Sequence, residues 1–455
     1  MTEYDRKRGT HFFMQDFSKH YTYRDLLRYT FPTVIMLVVS SVYYVVDGFY
    51  VSNYTGKQAF AAVNFIWPVL MLLGGTGFMF GTGGSALIGK TMGEGRGEKA
   101  DEIFSMILKS SLIVGGILGL LGFVFLRPIA VLMGAKGEML ELSLLYGRIC
   151  MLGIPGMVLQ NEFESLCVTA GKPRLGLYSA IGAGVTNIVL DALFIAAFHW
   201  DVAGAALASI MSQCIGGFVP YSYFKSSRNN SLLHLRRFRY DSRAMTRTCS
   251  NGISELLNNI SMSLVGMLYN VQLLRYIGED GVAAYGVLMY VSLVFIALFI
   301  GYSVGTAPIV SFQYGAQNHK ELHSLFKKSL VVLTVSSLAM FLACQAMGGP
   351  LSRIFAGYDP ELMAVTERGF FFYAFSFLFA GFGIWTSSFF TALNNGLLSA
   401  VLSTARTLVF QVAGVLLLPL LWQVDGIWLS LAVAEFLAAA LGGLLIISNQ
   451  QKYHY

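Results

Sequence analysis

A chain of 455 residues that is 55% hydrophobic and 12% charged, with a mean hydropathy of +0.61, carries more apolar surface than one soluble core can bury. That excludes a soluble globular protein and predicts an all-α polytopic membrane protein. The net charge of +6 follows topology and gives no reason for nucleic-acid binding, and five scattered cysteines without CxxC spacing fit neither a disulfide framework nor a zinc centre.

Apolar stretches long enough to cross about 30 Å of hydrocarbon recur along the whole chain. Six predicted spans start near Leu27, Phe60, Ile103, Leu140, Cys167 and Ala203, and six more near Cys249, Val282, Leu330, Met363, Ser399 and Ile427. Residues 1–26 are polar and the first apolar run is too long for a signal peptide, so the first span is expected to be retained. Arg6, Lys7, Arg8, Lys19, Arg24 and Arg28 precede or open span 1, and Lys225, Arg228, Arg236, Arg237, Arg239, Arg243 and Arg247 follow span 6. This bias places both termini and the linker in the cytoplasm. The expected organisation is an amino-terminal lobe, 1–224, a basic linker, 225–248, and a carboxy-terminal lobe, 249–455. The linker reads as a solvated or headgroup-facing stretch.

Within the spans, ionisable residues carry the information, because each costs roughly 2.5 to 3.5 kcal/mol near the bilayer centre. Span 1 holds Asp47, and Pro32, fifteen residues earlier, is a candidate hinge because proline removes a helix hydrogen bond. Span 2 holds Gly74, Gly75, Gly77, Gly81, Gly84 and Gly89, a smooth surface for close helix contact. Its GTGGSA run lacks the preceding strand of a dinucleotide-binding loop. Glu162 and Glu164 close span 4 ahead of the GKPR turn, where Lys172 and Arg174 are candidate partners. Span 5 carries Asn187 and Asp191 one helical turn apart, and with Asp47 they supply hard oxygen ligands for Na⁺ or a carboxyl pair able to share a proton. His199 and Trp200 read as belt residues at the outer interface. Glu255, Asn258 and Asn259 stand near the expected start of span 7, and Arg406 and Glu435 of spans 11 and 12 are a candidate buried pair. HExxH, paired Cys/His spacings and the GxSxG elbow are absent, which argues against an enzyme.

Shifting the chain by 222 residues brings 21 of 152 pairs into identity between Gly56 and Leu207, including Pro128 on Pro350 and Trp200 on Trp422. About 11 would coincide by chance, so the scarce Pro and Trp carry the weight. Twelve transmembrane helices in two pseudo-symmetric six-helix lobes, joined as parallel repeats, is the plan of a secondary transporter.

The runs VDGFYVSNYTGKQAFAAVNF from Val46, MGEGRGEKA from Met92, TAGKPRLG from Thr169, NIVLDALF from Asn187, GAALAS from Gly204 and GTAPIVSFQYGAQN from Gly305 resemble the multidrug and toxic compound extrusion (MATE) family, nearest its DinF-like and MepA-like bacterial branch. The resemblance covers about residues 25–449. It implies a bacterial cytoplasmic-membrane antiporter, not an enzyme and without a cofactor, that exports amphipathic cations in exchange for H⁺ or Na⁺ and works as a monomer. It also implies a coupling site at Asp47, Asn187 and Asp191, with Ser209 where relatives have Thr, and with Na⁺ as a possible metal there. Pro32 matches the relatives' span 1 proline. Glu255 stands too near its span's expected start to match the deep acid of another branch, so a second-lobe site at Glu255, Asn258, Asn259 or Arg406 stays open. The alternatives are a lipid-linked saccharide flippase of the same superfamily, which would want several Arg or Lys in its cavity, and a membrane-embedded enzyme or channel.

Overall fold

The computed structural model describes residues 17–55, 57–356, 359–453 and 455. Arg6, Lys7, Arg8 and Gly56 of the sequence reading lie outside them. Among the described residues there are helices and no strand. In chain order they are α1 Tyr23–Tyr54, α2 Lys57–Gly74, α3 Thr76–Gly93, α4 Gly97–Leu132, α5 Gly137–Thr169, α6 Pro173–Asp191 and α7 Asp201–Lys225. The second set comprises α8 Ser242–Tyr276, α9 Glu279–Gly315, α10 His319–Ala356, α11 Pro360–Tyr373, α12 Phe377–Ala392, α13 Gly396–Thr404 and α14 Gln411–Tyr453. Short tighter or wider turns join some of these into single rods: a 3₁₀ turn links α11 to α12, and π-helical turns at Ala192–Ala197 and Ala405–Phe410 extend α6 and link α13 to α14.

Among the described residues ten stretches are long and apolar enough to cross a membrane. One of them, Gly396–Tyr453, is two passes, because Trp422 and Gln423 leave helical geometry and Gln423 takes φ 49°. A further pass is α8, whose 35 residues suffice in length but are too polar for the same criterion. The described helices therefore make twelve passes, six in each half.

Helix starts lie earlier than the apolar runs suggest, because polar residues build the first turns. Thr22 and Asp25 form a reciprocal cap at α1, with the Asp25 N–H donating to Thr22 Oγ1 at 3.2 Å. Asp241 caps α8 by accepting from the Ala244 N–H at 3.1 Å, and this interaction holds its carboxyl below the usual carboxylate range. Span 7 thus begins at Ser242, inside the predicted linker, and not near Cys249. The expected start near Cys167 is also corrected: Cys167 belongs to the last turns of α5, and Pro173 opens α6. Nor is the linker merely solvated. Leu233 is fully buried, the Leu232 N–H donates to Ala170 O at 3.1 Å, and Arg236 pairs with Glu98 and Asp101 at 3.0 Å each.

The repeat is written into the backbone. Gly95 at φ 77° and Gln317 at φ 55° are 222 residues apart, as are Asp201 at φ 45° and Gln423. After α3 the Gly95 N–H bonds Met92 O and the Arg96 N–H bonds Thr91 O, and after α9 the same two bonds run from Gln317 to Tyr314 and from Asn318 to Gln313. Helix ends, not helix interiors, keep the register.

The halves meet most closely at the end that carries the linker. A Cβ at Gly83 of α3 would collide with the Thr248 carbonyl of α8, and one at Gly252 of α8 with the Met79 carbonyl of α3. Gly93 and Gly315 form a second reciprocal pair, against Phe312 and Lys90. Backbone touches backbone there, and the Asn394 amide reinforces it by donating to Ala86 O at 3.0 Å. Away from the interface, Leu120, Leu132, Leu152, Val335 and Ile447 stand exposed, the apolar belt of a protein solvated by lipid.

Candidate functional site

Two polar places stand out inside this apolar body. The first is buried in the amino-terminal half. Asp47 projects from α1, and Asn187 and Asp191 from one face of α6. The Asp47 carboxyl lies within hydrogen-bonding reach of the Asn187 and Asp191 side chains. Asn187 and Asp191 are buried, and Asp191 closes α6 just before its π-helical turn, a distortion that re-aims side chains at a helix end. Asp47 Oδ1, Asn187 Oδ1 and both Asp191 oxygens receive no hydrogen bond. Two carboxylates pressed together, with three of their oxygens and the Asn187 oxygen undonated, favour a proton or a small cation between them. The residues present fit either ion.

Two neighbours were not foreseen. Tyr146 and Cys150, one turn apart on α5, approach the same site, and the Tyr146 hydroxyl reaches both Ser209 of α7 and Cys150. Ser209 thus contacts the tyrosine that adjoins the acids. The only available signal was the four-residue spacing, which a chain with 23 Tyr does not make conspicuous.

The second place is a cavity of 310 Å³ between the halves. Glu164 of α5 lines it from one side, and Glu255, Asn258 and Asn259 of α8 with Arg406 and Glu435 line it from the other. Tyr269, Tyr285 and Tyr373 supply aromatic wall, with the first two stacked at 5.0 Å. Glu255 lies thirteen residues into α8, well past the helix start, and lines the shared cavity. The polar first turns of α8 had hidden that depth. Asn259 donates back to the Glu255 carbonyl at 2.9 Å, whereas Asn258 Oδ1 is buried without a donor.

Arg406 Nε donates to Glu435 Oε2 at 2.7 Å, with both side chains nearly inaccessible. Gly383 makes room, since its missing Cβ would stand against the Arg406 stem. The pairing imagined for Glu162 is corrected: it is fully buried, two turns before the end of α5, and accepts from Ser111 Oγ at 2.5 Å. Glu164 faces the cavity instead. Pro32 lies within a continuous α1, and none of Asp47, Asn187, Asp191 or Ser209 lines the central cavity. His199 and Trp200 sit at a helix turn where Trp200 is half exposed and stacks on Phe194 at 5.0 Å.

Two six-pass halves around a shared cavity, with a separate acid pair buried in one half, define a membrane transporter and not an enzyme. The chain belongs to the MatE family, whose sequence model matches residues 32–193 and again 256–417, once in each half. It is 23% identical over 441 residues to "Multidrug export protein MepA" of Staphylococcus haemolyticus (strain JCSC1435), with 96% of each chain covered. Its fold matches the crystal structure of MATE in complex with MaL6 at a TM-score of 0.90 and 23% identity, over 96% of this chain and 99% of that one. A structure described as the outward-facing conformation of a multidrug resistance MATE family transporter matches at 0.89 and 24% identity, over 96% and 98%.

Proposed function

We propose that this protein is a secondary antiporter of a bacterial cytoplasmic membrane that exports amphipathic cationic compounds in exchange for H⁺ or Na⁺. The observation that carries the reading is the contact of Asp47 with Asp191, buried, short of donors and outside the shared cavity. An ion bound there leaves the cavity free for a larger solute. The names of the relatives, multidrug export and multidrug resistance, support the compound class.

Both functions meet on α1. The helix that carries Asp47 also packs across the interface, with Thr30 against Gly305 and Val34 against Gly301 of α9. An ion that favours one placement of α1, and a solute that favours the other, exchange through their differential affinity for the two states. The basic bias puts the linker end in the cytoplasm, so the sealed end is the cytoplasmic one and this arrangement is outward-facing.

Cavity charge favours cations over the pyrophosphate of a lipid-linked saccharide. Arg406 is matched by Glu435, which leaves Glu164 and Glu255 as acids on the wall beside stacked tyrosines. Coulomb attraction and cation–π contact then act together. The test compares efflux of ethidium with that of an anionic dye of similar size in the same vesicles. Ethidium should be exported and the anion poorly moved, whereas equal rates or a preference for the anion would favour a flippase.

A further inference from the structure

On the lipid-facing side of the amino-terminal half, α1 and α6 leave a groove of 510 Å³ at the basic end. Leu27, Arg28, Phe31 and Pro32 line it from α1, and Arg174 and Tyr178 from α6, and none of these belongs to the central cavity. Leu27 is 47% exposed, Phe31 63% and Tyr178 67%, so the groove has an apolar strip turned toward the surroundings. Arg28 and Arg174 rise from two different helices beside that strip. Among the described residues neither guanidinium has a hydrogen bond or an ion pair. The nearest acid on α1, Asp25, is already engaged by Thr22.

Two uncompensated guanidiniums above an apolar channel match one kind of molecule. Guanidinium recognises phosphate through paired N–H donors, and an acyl chain covers Leu27, Phe31 and Tyr178, surface that water would otherwise meet. We propose that this groove binds one anionic phospholipid of the inner leaflet, its phosphate held between Arg28 and Arg174 and one chain laid along the strip. Charge complementarity and the membrane-spanning fold select that occupant. Because Pro32 forms part of the wall, a bend of α1 there would reshape the groove, so the bound lipid favours the continuous α1 seen here.

The test uses purified full-length protein equilibrated with equal parts phosphatidylglycerol and phosphatidylcholine, with retained lipid counted by native mass spectrometry. Wild type should retain one phosphatidylglycerol in preference to phosphatidylcholine. Arg28→Gln with Arg174→Gln should lower that preference on the order of tenfold, and each single change should lower it partway. Arg237→Gln with Arg239→Gln, which removes two exposed arginines of the linker, should leave it unchanged. The proposal fails if the groove variants retain phosphatidylglycerol as wild type does, or if the linker variant loses it equally, since the attraction would then be diffuse. It also fails if millimolar inorganic phosphate displaces the lipid, which would mark a free-anion site. Should the double variant not fold, the two single variants decide.

Discussion

Asp47, Asn187 and Asp191 show how much a single side chain can say in a membrane. An acid in an apolar helix is costly enough to draw notice, and a four-residue spacing tells which two groups share a face. Tyr146 and Cys150 could not be read that way, because tyrosine and cysteine belong equally well in lipid-facing or packed positions until the helices are set side by side. Removing the Tyr146 hydroxyl with Tyr146→Phe should slow ion-driven efflux several-fold while thermal stability stays near wild type, because the ring remains to fill its space. A stopped-flow efflux assay paired with a melting curve checks both halves of that expectation. Arg406 and Glu435 make a different prediction. Arg406→Met leaves Glu435 buried without its partner and should cost about 3 to 5 kcal/mol of stability, most of it recovered when Glu435→Met is added. Melting temperatures of the two single variants and the double variant in detergent settle it, and an additive double variant would mean that the two charges do not compensate one another.

Elements were legible in number and order but not at their ends. Hydropathy marks the buried middle of each pass, whereas the first turns of α8 and α10 are built from polar residues that reach beyond the apolar layer. That is why Glu255 looked shallow and the Cys167 boundary slipped across the GKPR turn. Glycines at segment ends were better guides, since helix stops such as Gly95 need a left-handed residue. The glycine-rich face of α3 was legible as a contact surface, but which neighbour it touches was not: Gly77 and Gly81 meet α5, while Gly83 and Gly93 meet the other half. This division predicts the outcome of Gly83→Leu. A leucine cannot fit against the Thr248 carbonyl, so the linker end should no longer close and transport should stop. On a background without native reactive thiols, Ser388→Cys in the cavity should then react with an impermeant thiol reagent added at the linker end. Wild-type transport by Gly83→Leu would show that the glycine contact is not a gate.

At the scale of the whole molecule, the duplicated plan has diverged in chemistry. Shifted by 222 residues, Asp47 falls on Tyr269, Asn187 on Val409 and Asp191 on Ala413, so the acid pair has no copy in the second half, where the polar groups instead face the shared cavity. On the proposed reading one half would hold the ion and the wall shared by both halves the solute, so that each could favour a different state. Orientation enters as a further prediction. Ser231 is buried and bonded to Asn229 and Leu233, and a thiol there would report little, but Ser227→Cys, in the exposed part of the linker, should react with an impermeant reagent in inverted vesicles and not in intact cells. The most direct test of the central claim is ethidium movement in proteoliposomes with pH and Na⁺ gradients imposed separately, for wild type, Asp47→Asn and Asp191→Asn. Wild type should respond to at least one gradient. Each amide variant should remain folded but lose that response by tenfold or more, on the order expected when a site's charge is removed, and the double variant should lose no more than either alone. Gradient-driven ethidium transport at the wild-type rate in either single variant would contradict the account.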